Sequence, residues 1–191
     1  MENEEERGSM AAFDKNLKIG EMEFEKIPPI LRAVLMSDGT VTKILEAYYW
    51  EPIQVKRLLH VEHPAEKDIP PLEIKAGDSV LHRRVLMQGL VSNQIYGQAE
   101  SFICAGRLWP GIRDDLLQGR LGIGELLRDK RMETYREVLA YESGSAGEWG
   151  ADLNCRKEDR MITRSYRIIA GGKPSLFIID RFPIRHFETK I

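Results

Sequence analysis

The sequence has few cysteines, no long apolar run and no marked excess of charge of either sign. Its two cysteines, Cys104 and Cys155, are too few for a disulfide framework. No apolar stretch approaches the roughly 20 residues that a membrane-spanning helix needs. The formal net charge of −2 lacks the basic excess typical of nucleic-acid binders. We therefore expect neither a nucleic acid nor a membrane as a partner, and we expect Cys104 to be a small core residue.

The N-terminal segment is acidic where a secretory signal would be basic and then apolar: residues 1–7 read MENEEER. We expect residues 1–15 to form a disordered acidic tail and residues 16–191 to form a single domain in the cytoplasm. A chain of 191 residues with 42% apolar and 30% charged residues has the size and composition of one globular domain.

Signs of a bound cofactor are weak. His60 and His63 lie three residues apart, but no further ligand cluster accompanies them. Gly119, Gly122 and Gly124 do not follow a strand as a dinucleotide-binding fingerprint would, and they are more typical of helix ends and a mobile loop. We therefore expect no metal and no organic cofactor.

Apolar spacing predicts four helices: one after Pro28-Pro29, then residues 41–48, 110–117 and 125–131. Alternation and β-branched content predict six strands, over residues 53–59, 79–88, 95–105, 132–141, 160–169 and 175–182. Residues 62–78 hold three prolines and many charges and are predicted to be a loop. Because helices and strands are grouped and do not alternate, the pattern predicts an α+β fold with an antiparallel sheet.

Arg83 is the most informative residue of the predicted strands. Period-2 alternation places it on the same face as Leu81, Val85 and Met87. A buried guanidinium needs an anionic partner. This partner is either a core carboxylate or the carboxylate of a ligand, which a guanidinium can bind with two hydrogen bonds.

Two acidic residues also lie on predicted strands. Asp180 shares a face with Ile178 and Phe182, and Glu100 shares a face with Gln98 and Phe102. A carboxylate in an apolar wall suits general acid–base chemistry. Either acid could instead simply balance the charge of Arg83.

Four segments together resemble the chorismate pyruvate-lyases and their archaeal and actinobacterial relatives. They are residues 37–46 (SDGTVTKILE), 81–87 (LHRRVLM), 122–127 (GIGELL) and 179–183 (IDRFP). The resemblance implies an antiparallel six-stranded sheet with helices packed on one side and the ligand enclosed under flaps. It also implies a cofactor-independent carbon–oxygen lyase that releases pyruvate and 4-hydroxybenzoate from chorismate. An apolar pocket closed over the aromatic product would lead to inhibition by that product.

The resemblance also implies roles for individual residues. Arg83 matches the arginine that grips a carboxylate, and Asp180 matches a catalytic glutamate that is one methylene longer. Thr40 stands at the start of a helix beside the ligand, Val41 matches an apolar wall residue next to the bound ring, and Ile123 matches an apolar flap residue. Because Asp180 is shorter than the usual acid, Glu100 is an alternative for its role.

The sequence is also compatible with other functions. The same fold serves as the ligand-binding module of GntR-type regulators, which sense small molecules without chemistry. Only about 25 residues precede the first predicted helix, so we expect no DNA-reading domain here. A related enolpyruvyl compound could replace chorismate as substrate, and we expect a monomer or a weak homo-oligomer.

Overall fold

The computed structural model describes residues 18–19, 24–118 and 122–188. The predicted acidic tail, residues 1–15, lies outside these ranges, as does Gly119 of the predicted mobile loop. No helix within the described ranges is long and apolar enough to cross a membrane.

The described chain contains four α helices: α1 (Pro29–Met36), α2 (Val41–Tyr49), α3 (Pro110–Gln118) and α4 (Ile123–Asp129). Prolines begin α1 and α3 because a proline lacks only an N–H that the first turn does not use. Helix α2 ends at Trp50, which adopts the left-handed conformation at φ 56°. All four helices were predicted, although α4 begins two residues earlier than expected.

The strands form one sheet with the order β1-β5-β6-β7-β4-β3-β2. Their bounds are β1 (Lys18–Ile19), β2 (Ile53–Pro64), β3 (Ser79–Gly89), β4 (Ile95–Ile103), β5 (Thr134–Ser145), β6 (Arg160–Ala170) and β7 (Lys173–Pro183). The six longer strands pair antiparallel, which confirms the predicted sheet. The two-residue β1 adds a parallel edge strand against β5.

Strand β2 continues to Pro64, beyond the predicted strand and into the predicted loop. It keeps its pairing with β3 up to Ser79, through a register shift between Arg57 and Leu59. The turn between β6 and β7 lies at Gly171 and Gly172, whose φ angles of 57° and 77° favour glycine.

The helices cover one face of the sheet, which we call the inner face. Helices α1 and α2 pack on one end of the strands and helices α3 and α4 on the other end, so that they form two separate apolar clusters. Successive inner-face residues of β7 illustrate the division: Leu176 and Ile178 belong to the second cluster and Phe182 to the first, with Asp180 between them. The opposite, outer face is covered by the segments 65–78 and 146–159. The inner face therefore has a gap between its two apolar clusters, and polar strand residues point into it.

Candidate functional site

A cavity of about 200 Å³ occupies the gap between the two apolar clusters. Strand residues of the inner face form its floor, including Arg83, Val85, Met87, Ala99, Ser101, Tyr166, Ile178 and Asp180. The first turns of α2 and α4 form its roof. Polar groups converging on a partly apolar cavity are typical of small-molecule sites.

Five of the six residues named from the sequence line this cavity. Arg83 and Asp180 lie on the floor, while Thr40, Val41 and Ile123 lie in the roof. These residues come from β3, β7, α2 and α4, so the tertiary structure brings together segments that are up to 140 residues apart in the chain.

Glu100 is the exception, and its expected place at the ligand is corrected. Its neighbours Ala99 and Ser101 line the cavity, and because successive strand residues point to opposite faces, Glu100 points to the outer face. There its carboxylate lies 2.9 Å from the guanidinium of Arg181 and 2.8 Å from Nε2 of His82.

Asp180 forms an ion pair with Arg164, which the sequence analysis did not consider. The two residues face each other across β6 and β7, and Nη2 of Arg164 lies 2.7 Å from the Asp180 carboxylate. Their side chains are 1% and 3% exposed. The suggestion that Arg83 and Asp180 balance each other in the core is therefore wrong, because Arg164 takes that place.

Arg164 also ties the site to helix α1. Its Nη1 donates to the carbonyl oxygens of Val34, Leu35 and Ser37 at distances of 2.8–3.0 Å, where the helix end leaves carbonyls without partners inside the helix. The signal that found Arg83 also applies here, because Arg164 alternates with Ile162, Tyr166 and Ile168 on the inner face of β6.

Arg83 is a buried cation, with 3% of its surface exposed. Burial and the nearby charge of Arg57 lower the pKa of Arg83 to about 10, so the guanidinium keeps its charge at neutral pH. Burial disfavours that charged form, and a bound carboxylate would offset the desolvation penalty.

The histidines considered as metal ligands have other contacts. Nε2 of His60 lies 2.9 Å from the carbonyl oxygen of Leu117, and Nδ1 of His63 lies 2.7 Å from the carbonyl oxygen of Pro64. Within the ranges that the structure describes, no three His, Cys, Asp or Glu side chains are grouped as a metal site.

The roof is closely packed where α2 and α4 meet. A Cβ atom at Gly124 would lie 3.2 Å from Oγ1 and 3.3 Å from Cγ2 of Thr40, so a glycine lets the two helices approach. Near this contact, Nζ of Lys43 lies 2.6 Å from the carboxylate of Glu46.

Arg136 of β5 also lines the cavity and was missed by the sequence analysis. Its guanidinium lies 5.6 Å from the ring centroid of Tyr166, and it donates a hydrogen bond to the carbonyl oxygen of Gly39. Tyr166 is a buried residue of the floor, and burial raises the pKa of its hydroxyl.

Comparison with known sequences agrees with the resemblance noted above. The family model described as "Chorismate pyruvate-lyase Rv2949c-like" matches residues 35–189. The chain belongs to this family. The matched range includes every residue named above as lining the cavity.

Two curated relatives show how far the family likeness extends. The chain is 30% identical over 175 residues to a chorismate pyruvate-lyase of Mycobacterium leprae, covering 87% of this chain and 80% of the relative. It is 28% identical over 170 residues to one of Mycobacterium tuberculosis strain CDC 1551, covering 86% and 84%.

A solved structure with the same fold has a different description. It is a GntR-family transcriptional regulator of Bacillus cereus, with a TM-score of 0.57 and 14% identity over 73% of this chain and 96% of that one. At this identity the likeness concerns the fold alone. The family's fold is thus shared with regulators, and function has to be inferred from the cavity.

Proposed function

We propose that this protein is a chorismate pyruvate-lyase, which converts chorismate into 4-hydroxybenzoate and pyruvate. The observation that carries the proposal is the pair of opposed groups on the cavity floor, the Arg83 cation and the Asp180 carboxylate. Membership of the lyase family supports the assignment of the reaction.

The separation of these two residues suits the substrate. Arg83 lies on β3 and Asp180 on β7, with β4 between them. Two strand spacings and an offset of two residues along the strands put roughly 12 Å between their backbones, before the side chains reach inward. Chorismate carries a carboxylate on ring carbon C1 and a hydroxyl group on C4, directly across the ring. A ring whose C1 carboxylate binds Arg83 would therefore present C4 to Asp180.

The reaction then follows from this orientation. Asp180 accepts the proton of C4, the electron pair of that C–H bond completes the aromatic ring, and the ether bond at C3 breaks. The leaving group is the enolate of pyruvate, which takes up one proton at its methylene carbon to become pyruvate, and Asp180 returns to its ionised form by releasing the proton that it took from C4. Every atom of chorismate is then in one of the two products.

The remaining cavity residues position and desolvate the substrate. Val41 and Ile123 in the roof supply apolar contacts to the ring, and Thr40 lies at the start of α2 beside them. Exclusion of water strengthens the interactions of Arg83 and Asp180 with the substrate. Because formation of an aromatic ring drives the elimination, the proposed reaction needs no organic cofactor or metal.

The proposal is tested by incubating the purified protein with chorismate in the presence of a chelator. We expect release of pyruvate and 4-hydroxybenzoate in equal amounts, at a rate that the chelator does not change. Tight binding of 4-hydroxybenzoate without turnover would instead support an aromatic-carboxylate-binding protein. Turnover of a different enolpyruvyl compound, with chorismate unchanged, would correct the substrate.

A further inference from the structure

Arg136 is a second cation of the cavity wall, and the reaction outlined above gives it no role. It is half-buried on β5, with its guanidinium beside the ring of Tyr166. Its hydrogen-bond partner is a backbone carbonyl oxygen, that of Gly39. Among the residues that the structure describes, no carboxylate lies within ion-pair distance of Arg136.

Two other charges on the cavity wall have partners of opposite sign. Lys43 is paired with Glu46, and Asp180 is paired with Arg164. Glu125 also lines the cavity, in the first turn of α4, and forms no ion pair with Arg136. The wall therefore offers a guanidinium whose charge is not balanced by a carboxylate, which is the arrangement expected where an anionic ligand binds.

Arg136 lies at the opposite end of the floor from Arg83. The residues Arg83, Ser101, Ile178 and Tyr166 are direct partners in one row across β3, β4, β7 and β6. Three strand spacings, roughly 14 Å, separate the first and last of these residues. The guanidinium of Arg136 adjoins Tyr166, so the two arginines are at opposite ends of the row and Asp180 is near its middle.

On the basis of the proposed function, we propose that Arg136 binds the second carboxylate of chorismate, that of the enolpyruvyl group. With the ring carboxylate on Arg83, carbon C4 is at Asp180, near the middle of the row. The enolpyruvyl ether is attached to C3, next to C4, and the part of the cavity beyond Asp180 leads toward β6 and β5. Arg136 lines the cavity on that side.

This role makes Arg136 a specificity residue that distinguishes substrate from product. Chorismate carries both carboxylates, whereas 4-hydroxybenzoate retains only the one assigned to Arg83. After the ether bond breaks, the carboxylate on Arg136 belongs to pyruvate, which can leave independently of the aromatic product. Arg136 should therefore contribute to binding of chorismate but not to binding of 4-hydroxybenzoate.

The test compares the Arg136→Gln variant with the wild-type protein in the chorismate assay, with added 4-hydroxybenzoate as inhibitor. Loss of charge-assisted hydrogen bonds should reduce kcat/KM for chorismate about tenfold or more, with KM raised. The inhibition constant of 4-hydroxybenzoate should stay within about twofold of the wild-type value. Arg136→Lys should recover part of kcat/KM, because it restores the charge but not the planar fork.

Arg131→Gln is the matched control, because it removes the same charge from a neighbouring surface cleft. Arg131 and Arg136 both line that cleft, but only Arg136 reaches the cavity. Near-normal kcat/KM for chorismate is expected for Arg131→Gln. An equal loss of kcat/KM in this variant would mean that Arg136→Gln acts only by weakening the general electrostatic attraction of the substrate.

Two results for Arg136→Gln would overturn the proposal. Equal weakening of chorismate and 4-hydroxybenzoate would mean that Arg136 acts through its contact with Gly39, by positioning α2. Unchanged kinetics would mean that it does not contact the substrate. If the wild-type protein itself does not convert chorismate, the proposed function fails separately. Calorimetric titration of wild type and Arg136→Gln with chorismate and with 4-hydroxybenzoate would then measure the same discrimination as binding.

Discussion

Arg164 and Asp180 face each other across β6 and β7 and form a 2.7 Å ion pair that is almost completely buried. The same guanidinium donates to three carbonyl oxygens at the end of α1. The pair therefore connects the acid of the proposed reaction to the helix layer. Arg164 does not line the cavity wall, so we regard it as a positioning residue.

Replacement of Arg164 by methionine should strongly destabilise the fold. It leaves the Asp180 carboxylate buried without its partner, a change that typically costs about 3–5 kcal/mol, and it removes donors from the α1 carbonyls. The free energy of unfolding, measured in urea, should fall by that amount. In the double variant Arg164→Met with Asp180→Leu, part of the lost stability should be recovered, because neither charge of the buried pair remains. A double variant less stable than Arg164→Met alone would contradict this account.

Asp180→Asn should abolish release of pyruvate while leaving binding of 4-hydroxybenzoate measurable. The amide keeps the volume of the carboxylate but cannot accept the C4 proton. Glu100→Gln is the control, because Glu100 lies on an adjacent strand but points to the outer face. Rates should be compared per mole of folded protein, determined from the thermal transition. Loss of turnover in Glu100→Gln with normal turnover in Asp180→Asn would reverse the assignment of the acid.

Arg83→Ala should weaken substrate and product alike, in contrast to Arg136→Gln. Loss of the charge-assisted contact to the ring carboxylate should reduce kcat/KM about tenfold or more and raise the inhibition constant of 4-hydroxybenzoate by a similar factor. The neighbouring Arg84 provides the control, since it points to the outer face, with its guanidinium 5.7 Å from the ring centroid of Trp149. If Arg84→Ala impairs product binding and Arg83→Ala does not, the assignment of Arg83 to the cavity face is wrong.

The contact between Gly124 and Thr40 should govern closure of the roof. Gly124→Ala places a methyl group 3.2–3.3 Å from the Thr40 side chain, so α4 must move away from α2. We expect KM for chorismate to rise severalfold with little loss of stability, because alanine favours the helix over glycine by about 1 kcal/mol. The double variant Gly124→Ala with Thr40→Ala lacks Oγ1 and Cγ2 of Thr40, the two close atoms, and should regain part of the lost affinity for chorismate.

Thr40→Ala alone separates this steric effect from any direct contact between Thr40 and the ligand. If the double variant is no better than Gly124→Ala in KM, the two losses are independent, and the roof contact does not explain them.

Local patterns in the sequence were sufficient for most of the elements. Proline and apolar spacing predicted the helices, and alternation predicted the six longer strands. Alternation also assigned Arg83 to the core face, since side-chain direction along a strand repeats every two residues whatever the strand's neighbours. The end of β2 was missed because its extension to Pro64 depends on pairing with β3, which is not a property of the β2 residues themselves.

The tertiary structure decided which of these residues meet. The sequence placed Arg83, Asp180 and Glu100 on strands, but the register of the β6–β7 pair, which shifts between Ile168 and Ile169, puts Arg164 opposite Asp180. The tertiary structure likewise turned Glu100 away from the cavity and brought Arg136 beside Tyr166. Strand register depends on contacts between strands, so the alternation within one strand does not specify a charged residue's partner. The residues' own alternation therefore determines that a buried charge exists, and the register and packing of the strands determine what neutralises it.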